Sequence, residues 1–421
     1  MGCAGLYPYS TKPNRSPHGR IFIFICRTCY TLLCIGVLCY LFLDNAKRIQ
    51  RFQASFGGFW KGQTVSSIIL GLKPLVCAVY LVIFWFNAGN HRRFLDCMAA
   101  TGRNIWDAMM GDDCTLGDHV DQYIPRDTVP SHRYLMCLKV GFLLLMGLVF
   151  FSMFSLRLIH LQSLGFVPFE DMKKLGTSLT VLVIPWLTLL ALMPLLYFEL
   201  CNQIVRAWAR AISRWVERDA IKATSGGTEE QQQHRHEMQL RMTFRLLTSM
   251  CRAQRAMSNF FNPFIFFSMV WTGFSLLLAL YYATQHETSF PAKPSHLQGD
   301  DEKLAHWQKI VAFNLAYIFL QVVVSLVFLV TLCISGGKTN KESRNAILTI
   351  LSYQTALEDH LDQYLLSSFQ HRLDTQEKDW GVTVCRIFPL NTSLFVTMLS
   401  FMMTYAFFLW QYQKDVDEAG S

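Results

Sequence analysis

Residues Ile310–Ser335 read IVAFNLAYIFLQVVVSLVFLVTLCIS, and this stretch decides the class of fold. It contains no Asp, Glu, Lys or Arg. A helix needs about 20 mainly apolar residues to cross the hydrocarbon of a bilayer, and this run supplies them. Working outward, further runs of the same kind are Ile21–Leu43, Val65–Phe86, Leu135–Leu156, Leu175–Leu200, Phe260–Ala283 and Val382–Tyr412. The last is too long to cross upright, so its beginning is expected outside the membrane, with Pro389 as the break. Pro185 and Pro194 lie inside the fourth run, where neighbouring helices can compensate for a lost backbone bond. The chain therefore reads as an all-α integral membrane protein with seven transmembrane helices.

Composition agrees. Of 421 residues, 52% are hydrophobic and only 16% charged, against about 25% charged in ordinary globular chains. The formal charge of +8 lies between apolar blocks, with no basic tail, and excludes nucleic acid as the expected partner. Most of the 13 cysteines sit in or beside apolar runs and read as small buried side chains. The first twenty residues are polar, so no cleavable signal peptide is expected before the first run. Met1-Gly2-Cys3 matches the start of an acylation signal, but Leu6 stands where Ser or Thr is required.

Lys and Arg set the orientation. The segments 1–20, 87–134, 201–259 and 336–381 hold 23 of them, and the alternate set 44–64, 157–174, 284–309 and 413–421 holds 11. The N-terminus is thus expected in the cytosol and the C-terminus outside. The sequons at Asn14 and Asn391 then lie in the cytosol and in a span, and neither is expected to carry glycan.

The segments between spans have their own patterns. Arg206, Arg210, Arg214 and Arg218 recur every four residues, with Ile204, Trp208, Ile212 and Trp215 on another face. Such a helix can lie on lipid headgroups or carry the fourth span into the cytosol against partner helices, and its unbroken continuation from the span favours the second. Ser225-Gly226-Gly227 through Gln231-Gln232-Gln233 reads as a flexible loop, in which His234 and His236 are solvated. Helix is expected to resume near Met238. Gly336-Gly337 reads as the start of a loop. After it, Ile347, Leu351, Leu357, Leu361 and Leu365 recur at helical spacing, as in a packed cytosolic layer.

Catalytic signatures are absent. His160 and His306 lie at span ends, so no intramembrane metal hydrolase is expected. There is no GxSxG, HExxH or GxxxxGK[ST]. No enzyme, metal or cofactor is expected. Lys73, beside Pro74 inside the second span, is either a functional residue or a structurally paired one. In the last span Ser393, Thr397, Ser400, Thr404 and Gln411 fall within roughly 60° of one line at about 100° per residue. Phe395, Met398, Leu399, Phe401, Met402, Phe407, Phe408 and Leu409 fill the other faces. The stripe is either helix packing, with hydroxyls bonded to the preceding turn, or the lining of a water path.

The end of this span reads Thr404-Tyr405-Ala-Phe-Phe-Leu-Trp-Gln411-Tyr412, and it resembles the T-Y-(five mostly apolar residues)-Q-F signature that closes insect gustatory receptors. Tyr412 replaces the Phe. The detailed likeness covers the last fifty or so residues, including Phe388-Pro389-Leu390, while span number, length and inverted topology agree throughout. The resemblance implies a taste receptor that is a ligand-gated, non-selective cation channel of four subunits. It places this chain in the plasma membrane of a sensory dendrite. Its partners would be a small-molecule tastant, other copies or related subunits, and membrane lipid. Residues 1–335 would hold six spans and the ligand-binding bundle, with cytosolic extensions at 201–259. Residues 336–381 would be cytosolic anchor helices, and 382–421 the pore helix with an extracellular tail. Gln411 and Tyr412 would stand at the outer gate. Polar and aromatic residues at ligand depth are Arg157, Trp186, Trp271, Asn314 and Tyr317. The sugar-sensing branch carries an acid after T-Y, and Ala406 here argues against a sugar. Odorant receptors share the architecture but lack the T-Y…Q ending. A G-protein-coupled receptor is the rival class, but its DRY-like and NPxxY-like motifs are missing, and Asn262-Pro263 starts a span instead of ending one. A transporter would need paired broken helices, and none is seen.

Overall fold

The apolar runs carry helices well beyond their own ends. The computed structural model describes residues 25–26, 28–43, 47, 61–111, 175–223, 229–283, 301–354, 367, 381–385 and 387–419, with scattered positions between 140 and 155. In chain order the helices are α1 (Thr28–Leu43), α2 (Lys61–Phe86), α3 (Ala88–Gly111), α4 (Leu175–Ala223), α5 (Glu229–Ala283) and α6 (Asp301–Gln354). A short ribbon follows, β1 (Thr383–Val384) against β2 (Phe388–Pro389), and then α7 (Thr392–Ala419). The expected third span, Leu135–Leu156, lies largely outside the described residues.

Among the described residues, Met242–Leu280, Ile318–Thr349 and Thr392–Tyr412 are each long and apolar enough to cross a membrane. Leu72–Phe86 and Ala88–Ile105 pass the same test as a pair bent by 61°. Asn87 sits at the bend, and its side-chain amide donates to the Phe260 carbonyl at 2.5 Å. A helix that turns sharply exposes polar backbone, and an Asn side chain reaching across to α5 fixes the corner.

The core explains the phenylalanine content. One face of α2 (Cys77, Tyr80, Leu81 and Phe84) is buried against Phe260, Phe261 and Phe264 of α5 and Phe328 of α6. Ring centroids of Tyr80 and Phe264 are 5.2 Å apart and those of Phe84 and Phe264 5.5 Å, within the range of favourable aromatic pairs. A second core lies further along α5 and α6, where α3 and α4 join them, built from Ile105, Ile212, Leu246, Leu247, Met250 and Ile347. Of the layer expected from Ile347 to Leu365, Ile347 enters this core, and Leu357, Leu361 and Leu365 lie outside the described residues.

Several expectations need correction. Gly336-Gly337 does not begin a loop, because α6 runs unbroken from Asp301 to Gln354 and the boundary drawn at 335/336 falls inside a helix. Gln231 to His236 are helical, since α5 begins at Glu229 and not near Met238; the glutamines and Glu229-Glu230 are good helix formers. In the basic stripe Arg210 stays exposed but Arg206 does not. Arg206 is 7% exposed and pairs with Glu199 at 2.7 Å, while Ile212 is buried in the second core. The apolar face of the α4 extension therefore meets protein, as the second reading of that helix requires, while Arg210 on the basic face stays exposed.

Candidate functional site

Helix α7 begins where the sequence supplies a cap. The Asn391 side-chain oxygen accepts from the Leu394 backbone N–H at 2.7 Å, the bond of an N-cap residue. The sequon asparagine therefore stands at the mouth of the helix and not within the span. Pro389 ends β2 just before it, which accounts for the break expected there.

The seam that packs α7 onto the bundle runs through Met402 and Ala406, which are 3% and 4% exposed. Met402 lies over Gly273 of α5. Phe395 and Met398 pack against the same core. Advancing about 100° per residue from Met402, Ser393, Thr397, Ser400, Thr404 and Gln411 centre about 180° away. All five are exposed. The polar stripe is thus diametrically opposite the packed seam, and the described helices of its own chain leave it uncovered. Thr397 donates to the Ser393 carbonyl and Thr404 to the Ser400 carbonyl, both at 2.9 Å, so the back-bonding of the packing alternative is present without the packing. Phe401 and Phe408, placed on apolar faces by sequence, are exposed flanks of the stripe and not part of the seam. Tyr405 and Tyr412 share their side.

The start of α7 is tied to α6 by one side chain. Asn340 donates from Nδ2 to the Val382 and Leu390 carbonyls at 3.1 Å each, and its Oδ1 accepts from the Val382 N–H at 2.7 Å. Ser258 and Asn262 of α5 hold the other side, accepting from the backbone N–H groups of Thr383 and Cys385. Gly381, at φ +98°, turns the chain into the ribbon. Gly336 and Gly337 let it lie on α6, where a Cβ on Gly336 would stand 2.7 Å from Leu390 Cβ. Sequence reasoning missed this latch. Its one visible signal is the glycine pair, which is a cradle and not a helix breaker.

Between α2, α4, α5 and α6 lies a small cavity of about 40 Å³ lined by Lys73, Cys77, Tyr80, Trp271, Thr272 and Gln321, among others. It has room for a water or one small functional group. Lys73 Nζ and Gln321 Oε1 are buried with no hydrogen-bond partner among the described residues. The paired alternative for Lys73 is not realised there. Of the ligand-depth residues, Trp271 lines this cavity. Arg157 and the side chains of Trp186, Asn314 and Tyr317 lie outside the described residues.

A family model described as 7tm Chemosensory receptor matches residues 1–415. The chain belongs to this chemosensory receptor family. Its members are receptors and not a family of enzymes. A Caenorhabditis elegans protein described as probable G-protein coupled receptor egl-47 is 25% identical over 415 residues, covering 98% of this chain and 72% of that one. The solved structure of the insect olfactory receptor OR5 from Machilis hrabei, in complex with eugenol, is similar in fold at a TM-score of 0.54. It is 12% identical and covers 97% of this chain and 95% of the other. The seven-helix membrane-receptor fold expected from the sequence is the fold of this chemosensory receptor.

Proposed function

We propose that this chemosensory receptor is a taste receptor of the gustatory type: a subunit of a tetrameric, ligand-gated, non-selective cation channel opened by a small-molecule tastant. The observation that carries the reading is the placement of the α7 stripe. Five polar residues stand opposite the packed seam, exposed in the single chain and flanked by aromatic side chains. A polar stripe on a membrane helix must meet water or other polar groups, and several copies of α7 around one axis would supply a water path. The Thr404-Tyr405…Gln411 ending favours taste over odour within the family. The four α7 helices line the pore, Gln411 and Tyr412 stand at its outer gate, and residues 336–381 with the 201–259 extensions form the cytosolic anchor. The N-terminus is cytosolic and the C-terminus extracellular, in the plasma membrane of a sensory dendrite. Tastant enters each subunit on the side of the Lys73 cavity, whose amine and amide oxygen, without partners among the described residues, supply a donor and an acceptor. Ala406 is buried in the seam, so an acid at this position would be desolvated here, consistent with a ligand other than sugar.

Cysteine substitution tests the pore. Cysteines at Ser393, Thr397, Ser400, Thr404 and Gln411 should react with small charged thiol reagents and block current, while Met402→Cys and Ala406→Cys should be protected. Gln411→Cys should react without tastant and Thr397→Cys only in its presence. Equal reactivity around the helix, or protection of the whole stripe during activation, would rule the pore out.

A further inference from the structure

A groove of about 780 Å³ runs between α4 and α6 where their apolar stretches end. We propose that it binds the phosphorylated headgroup of an anionic membrane lipid. Its position follows from the sequence. Leu200 closes the fourth apolar run and Ser335 the sixth, and both helices continue unbroken past these residues. The wall toward the membrane includes Val330 and Ile334, and Ile334 is 40% exposed, a surface suited to an acyl chain. One turn further along, the wall becomes basic.

Four cations line the groove, Arg206, Arg210, Lys338 and Lys341, against two carboxylates, Glu199 and Glu342. The acids do not neutralise it. Glu199 is taken by Arg206 at 2.7 Å. Glu342 reaches Arg210 only at 3.9 Å, with both side chains well exposed, a pair of little net value. Lys338 and Lys341 are exposed and form no ion pair among the described residues. Ser335 gives an independent sign of an occupant. It is 4% exposed, lines the groove, and its hydroxyl has no hydrogen-bond partner among the described residues. A hydroxyl donor beside three accessible cations, at the boundary between apolar and basic walls, matches a phosphate carried on a lipid. A soluble phosphate would gain nothing from the apolar end. Basic pockets between membrane helices on the cytoplasmic side recognise such headgroups. The inner-leaflet location rests on the cytosolic orientation proposed above, but binding by purified protein does not depend on it.

The test uses full-length protein in detergent micelles and a fluorescent short-chain phosphatidylinositol bisphosphate as probe. Each basic residue near a lipid surface contributes roughly a fivefold factor. The triple variant Arg210→Gln, Lys338→Gln, Lys341→Gln should therefore bind about a hundredfold more weakly. Arg92→Gln, Arg93→Gln, Arg103→Gln, which removes the same charge from exposed positions of α3, should bind like the parent. The charge-preserving Arg210→Lys, Lys338→Arg, Lys341→Arg should also bind. If the triple glutamine variant does not fold, Lys338→Gln alone should weaken binding about fivefold. Unchanged affinity in the groove variants, or equal loss in the α3 control, overturns the site. Competition by soluble inositol phosphate as strong as by the lipid overturns the lipid assignment.

Discussion

Removing the Asn340 side chain is the sharpest test of how the last helix is held. In Asn340→Ala, three hydrogen bonds to the ribbon at 2.7, 3.1 and 3.1 Å disappear together, along with a long one from Gln254 Nε2 at 3.5 Å. The Val382 carbonyl keeps the Leu390 N–H at 2.9 Å, but the Val382 N–H and the Leu390 carbonyl lose their bonds to Asn340, and both residues are fully buried. At about 1 kcal/mol per bond, the ribbon should lose about 3 kcal/mol against local opening, and more if the orphaned groups stay dry. That raises the open population by a factor on the order of 100. A reporter cysteine at Val384, which is 6% exposed, reads the opening as its rate of maleimide labelling, with mass spectrometry separating it from the native thiols. Exchange-limited labelling of a buried site scales with the open population, so Val384→Cys should label roughly a hundredfold faster in the Asn340→Ala background. Asn340→Asp keeps one acceptor but turns an anionic oxygen toward two carbonyls, and should open the ribbon at least as much. Labelling within twofold of the parent in Asn340→Ala, by contrast, would refute the latch.

Gly336→Ala should lower the melting temperature of the purified protein, by about 1–3 kcal/mol of overpacking. Because the clash is with Leu390 Cβ at 2.7 Å, Leu390→Ala should not rescue it. Gly89→Ala, with nothing within 4 Å of the new Cβ, should be neutral or gain up to about 1 kcal/mol in the same melt. Lys73→Met should raise the melting temperature of unliganded protein by removing an unpaired buried amine, worth about 1–3 kcal/mol, while reducing tastant-evoked current; a lower melting temperature would mean that the amine is satisfied. A tag after Ser421 should stain on intact cells and a tag before Met1 only after permeabilisation; the reverse pattern would remove the inverted topology.

The sequence was most informative where a single physical demand dominates. Apolar length alone located α2, α4, α5, α6 and α7, because a bilayer fixes what a crossing helix requires. The stripe on α7 was legible because polar residues at helical spacing have one geometric meaning, although which flank packs was not. Phe401 and Met402 are both apolar, and only the bundle decides that Met402 meets Gly273. The latch was illegible for the same kind of reason. Asn340 looks like any polar residue past a span, and its partners lie 42 and 50 positions away along the chain. Gly336-Gly337 was misread because glycine has two uses, turning a chain and admitting a close neighbour, and local sequence does not say which.

Helix α6 spans 54 residues without a proline, which at about 1.5 Å per residue makes a rod about 80 Å long. Asn340 is fastened about three-quarters of the way along it, 39 positions from Asp301. Such a rod works as a tiller. Turning it by about 5° about its midpoint would swing each end by about 3.5 Å and Asn340 by about 1.6 Å. The root of α7, bonded to Asn340, would be carried with it, so a push delivered in one half of the molecule arrives at the other as a displacement of the helix that bears the polar stripe.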